Sequence, residues 1–233
     1  MSLKTTLVKA AAGLGAAAIL GTAIIGVAHT PWGRPLLQLP LLSALAKHAG
    51  CPVGSIEPAA FEQVRRQKLQ GDVGTATAGA HPALGFTLGQ TRRSDVAAWV
   101  TKTQTSCKPG FVASVLECSN VTSLGPLPIS QLRLQFDAQQ RLVSVDLFRA
   151  DPEGAPLVER FQALGRELDA SVGPATSSVG TPTLAFMKQS GLQTVVRTYG
   201  YRDYVATAML LNFGKRGLRL REQYQWLPPG APA

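Results

Sequence analysis

The sequence predicts an α+β fold: an N-terminal transmembrane or signal helix, then two units of one helix and three strands, with the helices packed on an antiparallel sheet. Three observations lead there. Residues 10–28 form an apolar run behind Lys4 and Lys9. Residues 130–136 and 141–148 alternate between apolar and polar side chains with period two. A pattern of one helix followed by strands begins near Thr91 and begins again at Asp151.

Composition sets outer limits. A chain of 233 residues that is 45% hydrophobic and 16% charged can bury a core. With 23 Gly, 16 Pro and 3 Cys it is neither collagen-like, nor a dense disulfide scaffold, nor a zinc-cluster domain. The net charge of +9 permits an anionic partner without establishing one.

Residues 1–9 contain Lys4 and Lys9 and no acid, and in residues 10–28 Thr22 is the only polar side chain. A membrane-spanning helix needs about 20 apolar residues and a signal-peptide core about 7–15. Gly26-Val27-Ala28 also suits cleavage after Ala28. Two readings stand: residues 10–28 as an inner-membrane anchor, or residues 1–28 as a removed signal peptide. Either exports residues 29–233, because the lysines stay in the cytoplasm. The expected location is the inner membrane facing the periplasm or, after cleavage, the periplasm or beyond.

Residues 29–80 read as a juxtamembrane leader and linker. Trp32 and Arg34 stand where an interfacial anchor belongs, and Leu36 to Leu45 make an apolar stretch broken by Pro40. That stretch either lies on the bilayer or docks on the folded domain. The Thr30-Pro31-Trp32-Gly33-Arg34 segment resembles the opening of AsmA- and TamB-like envelope proteins. Pro58 to Leu69 predicts a helix with Phe61, Val64 and Leu69 on one side, and the small residues 71–80 read as a flexible linker, with the folded body starting near Ala83.

In the first unit, residues 81–150, Thr91 is a suitable N-cap, and Val96, Trp99 and Val100 give a helical stripe ending by about Thr105. Strands follow at 111–121, 130–136 and 141–148, the last two joined by a turn at Asp137–Gln140. In the second unit, residues 151–227, Pro156 opens a helix whose Leu157, Phe161, Leu164 and Leu168 share one face to near Gly173. Thr181-Pro182 can cap a short helix closed by Gly191, and strands are expected at about 192–200, 203–213 and 218–226. Residues 228–233 read as a disordered tail. The units either share one long sheet or pack as separate domains.

Gly85 to Thr91, glycine and threonine six apart before a helix, resembles the helix entry of the BamE-like outer-membrane assembly lipoproteins. Leu168 to Thr176 is similar to the stretch that ends a helix in that family. Two such units in tandem resemble the beta-lactamase-inhibitor-protein fold. The resemblance spans about residues 83–226 and implies a binding or scaffolding module. That family carries a disulfide from the helical part to the first strand, and Cys107 and Cys118 occupy a comparable place. In an oxidising compartment this pair closes a loop of about ten residues worth roughly 2–3 kcal/mol; the alternative is two reduced, buried thiols. Cys51 is left over. The lipid-anchoring cysteine of the BamE-like proteins is missing.

Catalytic signatures are scarce. His29, His48 and His81 stand in no metal-binding spacing, and there is no Cys-x-x-Cys, Gly-x-Ser-x-Gly or phosphate-binding loop. No metal or cofactor is expected. His48 and Cys51 lack a recognisable oxyanion framework, and Asp146, Asp151 and Glu153 read as a solvated turn.

The C-terminal region is the most distinctive. All four tyrosines lie there, and residues 192–226 carry six basic residues against Asp203 and Glu222. The candidate binding residues are Arg197, Tyr199, Tyr201, Tyr204, Arg219, Arg221, Tyr224 and Trp226. They form either a face for an acidic protein, peptidoglycan or lipid headgroups, or a sheet surface whose tyrosines cover the core edge. Nucleic acid fits the charge but not an exported location. The expectation is a non-enzymatic, membrane-anchored periplasmic binding or scaffolding protein, with a protein partner in envelope assembly. An envelope enzyme with an unrecognised site and a secreted hydrolase inhibitor are the alternatives.

Overall fold

The computed structural model describes residues 57–122 and 127–228. The expected anchor at 10–28 and most of the leader lie outside them, and no helix among the described residues is long and apolar enough to cross a membrane.

The chain runs through helix α1 (Pro58–Leu69), the two-residue strands β1 (Pro82–Ala83) and β2 (Phe86–Thr87), and helix α2 (Arg93–Thr103). Strands β3 (Ser106–Pro109), β4 (Val115–Val121), β5 (Ile129–Phe136) and β6 (Leu142–Asp151) follow. Helix α3 (Ala155–Ser171) opens the second half. Then come β7 (Ser177–Val179), the single turn α4 (Leu184–Met187), β8 (Thr194–Gly200), β9 (Tyr204–Asn212) and β10 (Leu218–Trp226). The fold is α+β, with one large antiparallel sheet.

The two halves share that sheet. Its order is β3-β4-β5-β6-β10-β9-β8-β7, so the last strand of each half pairs with the other at the centre. Each half contributes four strands, one more than the period-two pattern predicts. The extra strands, β3 and β7, are short edges with mostly exposed residues. With no apolar face to bury, Ser-Cys-Lys-Pro and Ser-Ser-Val leave no alternation to read. The expected strand 111–121 begins only at Val115, because residues 110–114 make the turn between β3 and β4.

The core lies between the sheet and its helices. Strands β5 and β6 supply Leu132, Leu134, Val145 and Leu147, all at most 1% exposed. From α3 they meet Leu157, Phe161, Leu164 and Leu168, the face expected from their spacing. Each such side chain contributes about 1.5–3 kcal/mol on burial. Gly154 starts α3 at φ 78°, a left-handed conformation that suits glycine, with Leu218 packed where a side chain would stand. At α2 the N-cap is Arg92 rather than Thr91: the Asp95 carboxylate reaches back to the Arg92 amide at 2.8 Å. Thr91 instead accepts from the Thr87 amide. Thr183, not Thr181, caps α4 by accepting from the Phe186 amide.

Two expectations about residues 58–80 need correction. Helix α1 buries Arg65 and Leu69, while Val64 is exposed. Its packing is polar at one end, where Arg65 donates to Gln225 Oε1 and to the Trp226 carbonyl, and apolar at the other, where Leu69 meets Val205 and Leu227. Residues 71–80 are not a free linker. The Arg202 amide donates to Ala76 O, the Ala78 amide to Asp203 Oδ1 and the Gly79 amide to Val172 O. Gly74 and Gly200 approach so closely that a Cβ on Gly74 would meet the Gly200 carbonyl oxygen at 2.3 Å. Small residues here serve close packing as well as flexibility.

Candidate functional site

The eight candidate binding residues come together in one half of the sheet but not on one surface. Tyr199 and Tyr204 are 0% exposed, and Tyr201, Tyr224 and Trp226 are also buried. Each tyrosine hydroxyl is engaged internally. Tyr199 donates to Gly165 O and sits 2.9 Å from Asp169 Oδ1. Tyr201 donates to Pro174 O and Tyr204 to Pro82 O. Tyr224 donates to Glu222 Oε2 at 2.7 Å. Burial, then the Asp169 hydrogen bond, push the Tyr199 hydroxyl up to about 12. Burial drives Tyr204 higher still. Of the two alternatives, the tyrosines follow the one that covers the core.

The arginines divide between the faces. Arg197 lies on the helix side, 3.7 Å from Asp169 Oδ2 on α3. Arg219 and Arg221 alternate with the buried Leu218, Leu220 and Glu222, so they point to the opposite face. There α1 covers only one end, above Gln135, Ser144, Gln225 and Val205. The rest is a half-exposed ladder. Arg221 makes two hydrogen bonds to Asp146, at 2.9 and 2.8 Å, and its guanidinium lies 5.4 Å from the Phe148 ring centre. Arg133 pairs with Glu117 at 3.2 Å, one row across. Phe148, Met209 and Leu211 supply apolar surface beside them.

The helix side holds a second feature. A groove of about 1280 Å³ follows α3 from Pro156 to Ser171, with Pro82, Leu84, Gly85 and Leu127 on its other wall. Arg149 and Tyr224 line its floor, and the charge of Glu222 lies behind them, hydrogen-bonded to both. Glu222 is 0% exposed and Arg149 is 2% exposed, and Arg149 Nε donates to Glu222 Oε1 at 2.7 Å. Arg149 Nη1 donates to the Leu127 carbonyl. Arg160 Nη2 stands 3.9 Å from Glu222 Oε2, while Arg160 Nη1 donates to Glu167 at 2.8 Å. Burial and the neighbouring Glu222 hold the Tyr224 hydroxyl far above its ordinary range. Burying an ion pair costs several kcal/mol per ion in desolvation, so this floor is expensive for a purely packed core.

No protein-family model, no curated protein and no solved structure matches this chain.

Among the described residues, no three of His, Cys, Asp and Glu converge as metal ligands. Cys107 and Cys118 are joined, directly opposite each other on β3 and β4. His81 Nε2 lies 2.9 Å from Asp203 Oδ2 and packs beside Tyr204, which ties the segment after residue 80 to the β8–β9 turn.

The groove floor was missed in the sequence although a signal for it exists. Positions 218, 220, 222 and 224 share one strand face, and Leu, Leu, Glu and Tyr in that order place an acid among core residues. Arg149 likewise continues the inward row of Val143, Val145 and Leu147. The excess of arginine and tyrosine on the same strands hides that signal by suggesting a charged surface.

Proposed function

We propose that the chain is a non-enzymatic binding or scaffolding protein of the cell envelope, anchored in the inner membrane through residues 10–28 and facing the periplasm. It holds a protein partner against the open face of its eight-stranded sheet. One observation carries this reading: α1 covers a single end of that face and leaves the Arg221–Asp146 pair, Phe148, Met209 and Arg219 partly exposed. Arginine beside an aromatic ring is the composition of binding hot spots. Arg219 enters no ion pair among the described residues, so it suits an acidic group on the partner. The two halves side by side on one sheet are compatible with a tandem module of the BamE-like and beta-lactamase-inhibitor-like kind, although the Cys107–Cys118 bond joins two strands rather than a helix and a strand. That resemblance favours envelope assembly over catalysis.

A photo-crosslinking side chain at Met209 or Arg219 tests the reading in intact envelopes, with Lys102 on α2 as the control position. Defined adducts from the sheet positions and none from Lys102 are expected. Equal labelling from all three positions, or no adduct from the sheet, refutes the docking face. Fractionation with the mass of the mature N-terminus decides between anchor and cleaved signal.

A further inference from the structure

We propose that the groove beside α3 binds an anionic single-chain amphiphile, a molecule with one acyl chain and a carboxylate or phosphate head. This inference is independent of the open sheet face and uses the opposite side of the sheet.

The shape comes first. The groove runs beside α3 for about 22 Å, at 1.5 Å per residue over Pro156 to Ser171. Its 1280 Å³ exceeds the usual range of compact ligand pockets, and its lining follows α3 along most of the helix. Pro82, Leu84, Leu127, Ala163 and Leu164 give it apolar walls. An extended acyl chain fits a channel of that length and lining.

The head is set by hydrogen-bond capacity. Both Glu222 oxygens are engaged, one by Arg149 Nε and one by the Tyr224 hydroxyl, each at 2.7 Å. The Arg149 guanidinium against Glu222 offsets that carboxylate's charge, so the floor gives a cation little net attraction. Donors are in surplus, because each guanidinium carries five N–H groups and no acceptor. Arg160 is the adjustable one. Its main partner, Glu167, is 57% exposed, and an ion pair of that exposure contributes little. A carboxylate or phosphate can replace Glu167 on Arg160 while Arg149 and Glu222 hold the floor in place. The other charged groups along the groove, Asp151, Glu159 and Arg166, sit toward its rim. Asp151 is held by the Glu153 and Gly154 amides at 2.9 Å, and Glu159 and Arg166 are exposed.

Calorimetric titration of the purified folded chain tests this with dodecanoate, dodecyl phosphate, dodecyl glucoside and inorganic phosphate, all below micellar concentrations. The two anionic amphiphiles should bind, and Arg160→Gln should weaken both at least tenfold without shifting the thermal midpoint. Arg160→Lys should recover part of the loss. Dodecyl glucoside should bind at least tenfold more weakly than dodecanoate. Inorganic phosphate binding as tightly as dodecyl phosphate would show a bare anion site and overturn the acyl channel. Equal binding of the neutral glucoside, an unchanged affinity in Arg160→Gln, or no binding by any amphiphile would overturn the proposal outright.

Discussion

Arg149 and Glu222 meet at 2.7 Å across the β6–β10 seam, where the two halves of the chain join. One partner ends the first half and the other lies in the last strand of the second. Such a pair adds little net stability when intact but leaves a buried, uncompensated charge when one side is lost. Arg149→Met should therefore destabilise the fold by about 3–5 kcal/mol. Arg149→Met with Glu222→Gln should recover most of that, because the neutral amide still accepts from Tyr224. Denaturant melts of wild type, single and double variants decide the matter. A double variant no more stable than the single one contradicts the account.

The tyrosines give a prediction with a sign. The Tyr199 hydroxyl is raised to about 12, and Tyr204 and Tyr224 are also raised, in each case mainly by burial. A raised folded value means stability that is complete below the unfolded value of 10 and lost as pH climbs past it. The phenolate absorbance of these three should therefore appear with unfolding, in one step. Their gradual ionisation from pH 10, with circular dichroism unchanged, would argue against their engagement in the core. Tyr199→Phe removes the hydroxyl that donates to Gly165 O and stands 2.9 Å from Asp169 Oδ1, and should cost about 1–2 kcal/mol.

What the sequence made legible follows from how each element buries its side chains. Helix α3 and strands β5, β6, β8, β9 and β10 each place an apolar face on the core, so their periodicity is strong. Edge strands β3 and β7 bury almost nothing and left no pattern. Residues 71–80 lack large apolar side chains because their attachment is by backbone hydrogen bonds and glycine contacts, which periodicity does not register. The sequence shows which strands carry or adjoin the tyrosines. Their direction depends on which neighbours accept their hydroxyls, and those acceptors, such as Gly165 O and Pro82 O, lie 34 and 122 residues away.

Glu62 should make the seat of α1 sensitive to acid. Burial alone would raise its carboxyl, but Arg65 and Arg66 outweigh that and hold it below its ordinary 4.5. A lowered folded value means a contribution present above pH 4.5 and lost as pH falls through the folded value. Glu62→Gln should cost about 1–3 kcal/mol at neutral pH and flatten the acid side of the stability profile. A parallel profile for wild type and variant below pH 4.5 removes Glu62 as the cause.

Gly200 tests whether residues 71–80 belong to the folded body. A Cβ there would stand 2.0 Å from the Asp72 carbonyl oxygen, and backbone cannot yield as a flexible side chain can. Gly200 closes β8, and its own amide donates to Thr176 Oγ1, so Ala is tolerated only if the 72–79 segment moves away. Gly200→Ala should raise amide exchange at Ala78 and Gly79, whose donors now reach Asp203 and Val172, while leaving β5 and β6 protected. Detachment also strips the hydrogen bond from the Arg202 guanidinium to Thr77 at 2.6 Å. Arg202→Ala should then reproduce a weaker form of the same change. If Gly200→Ala exchanges like wild type across 72–79, the segment is held by something other than its contact with the β8–β9 turn. If β5 and β6 lose protection as well, the segment stabilises the whole sheet rather than lying on it.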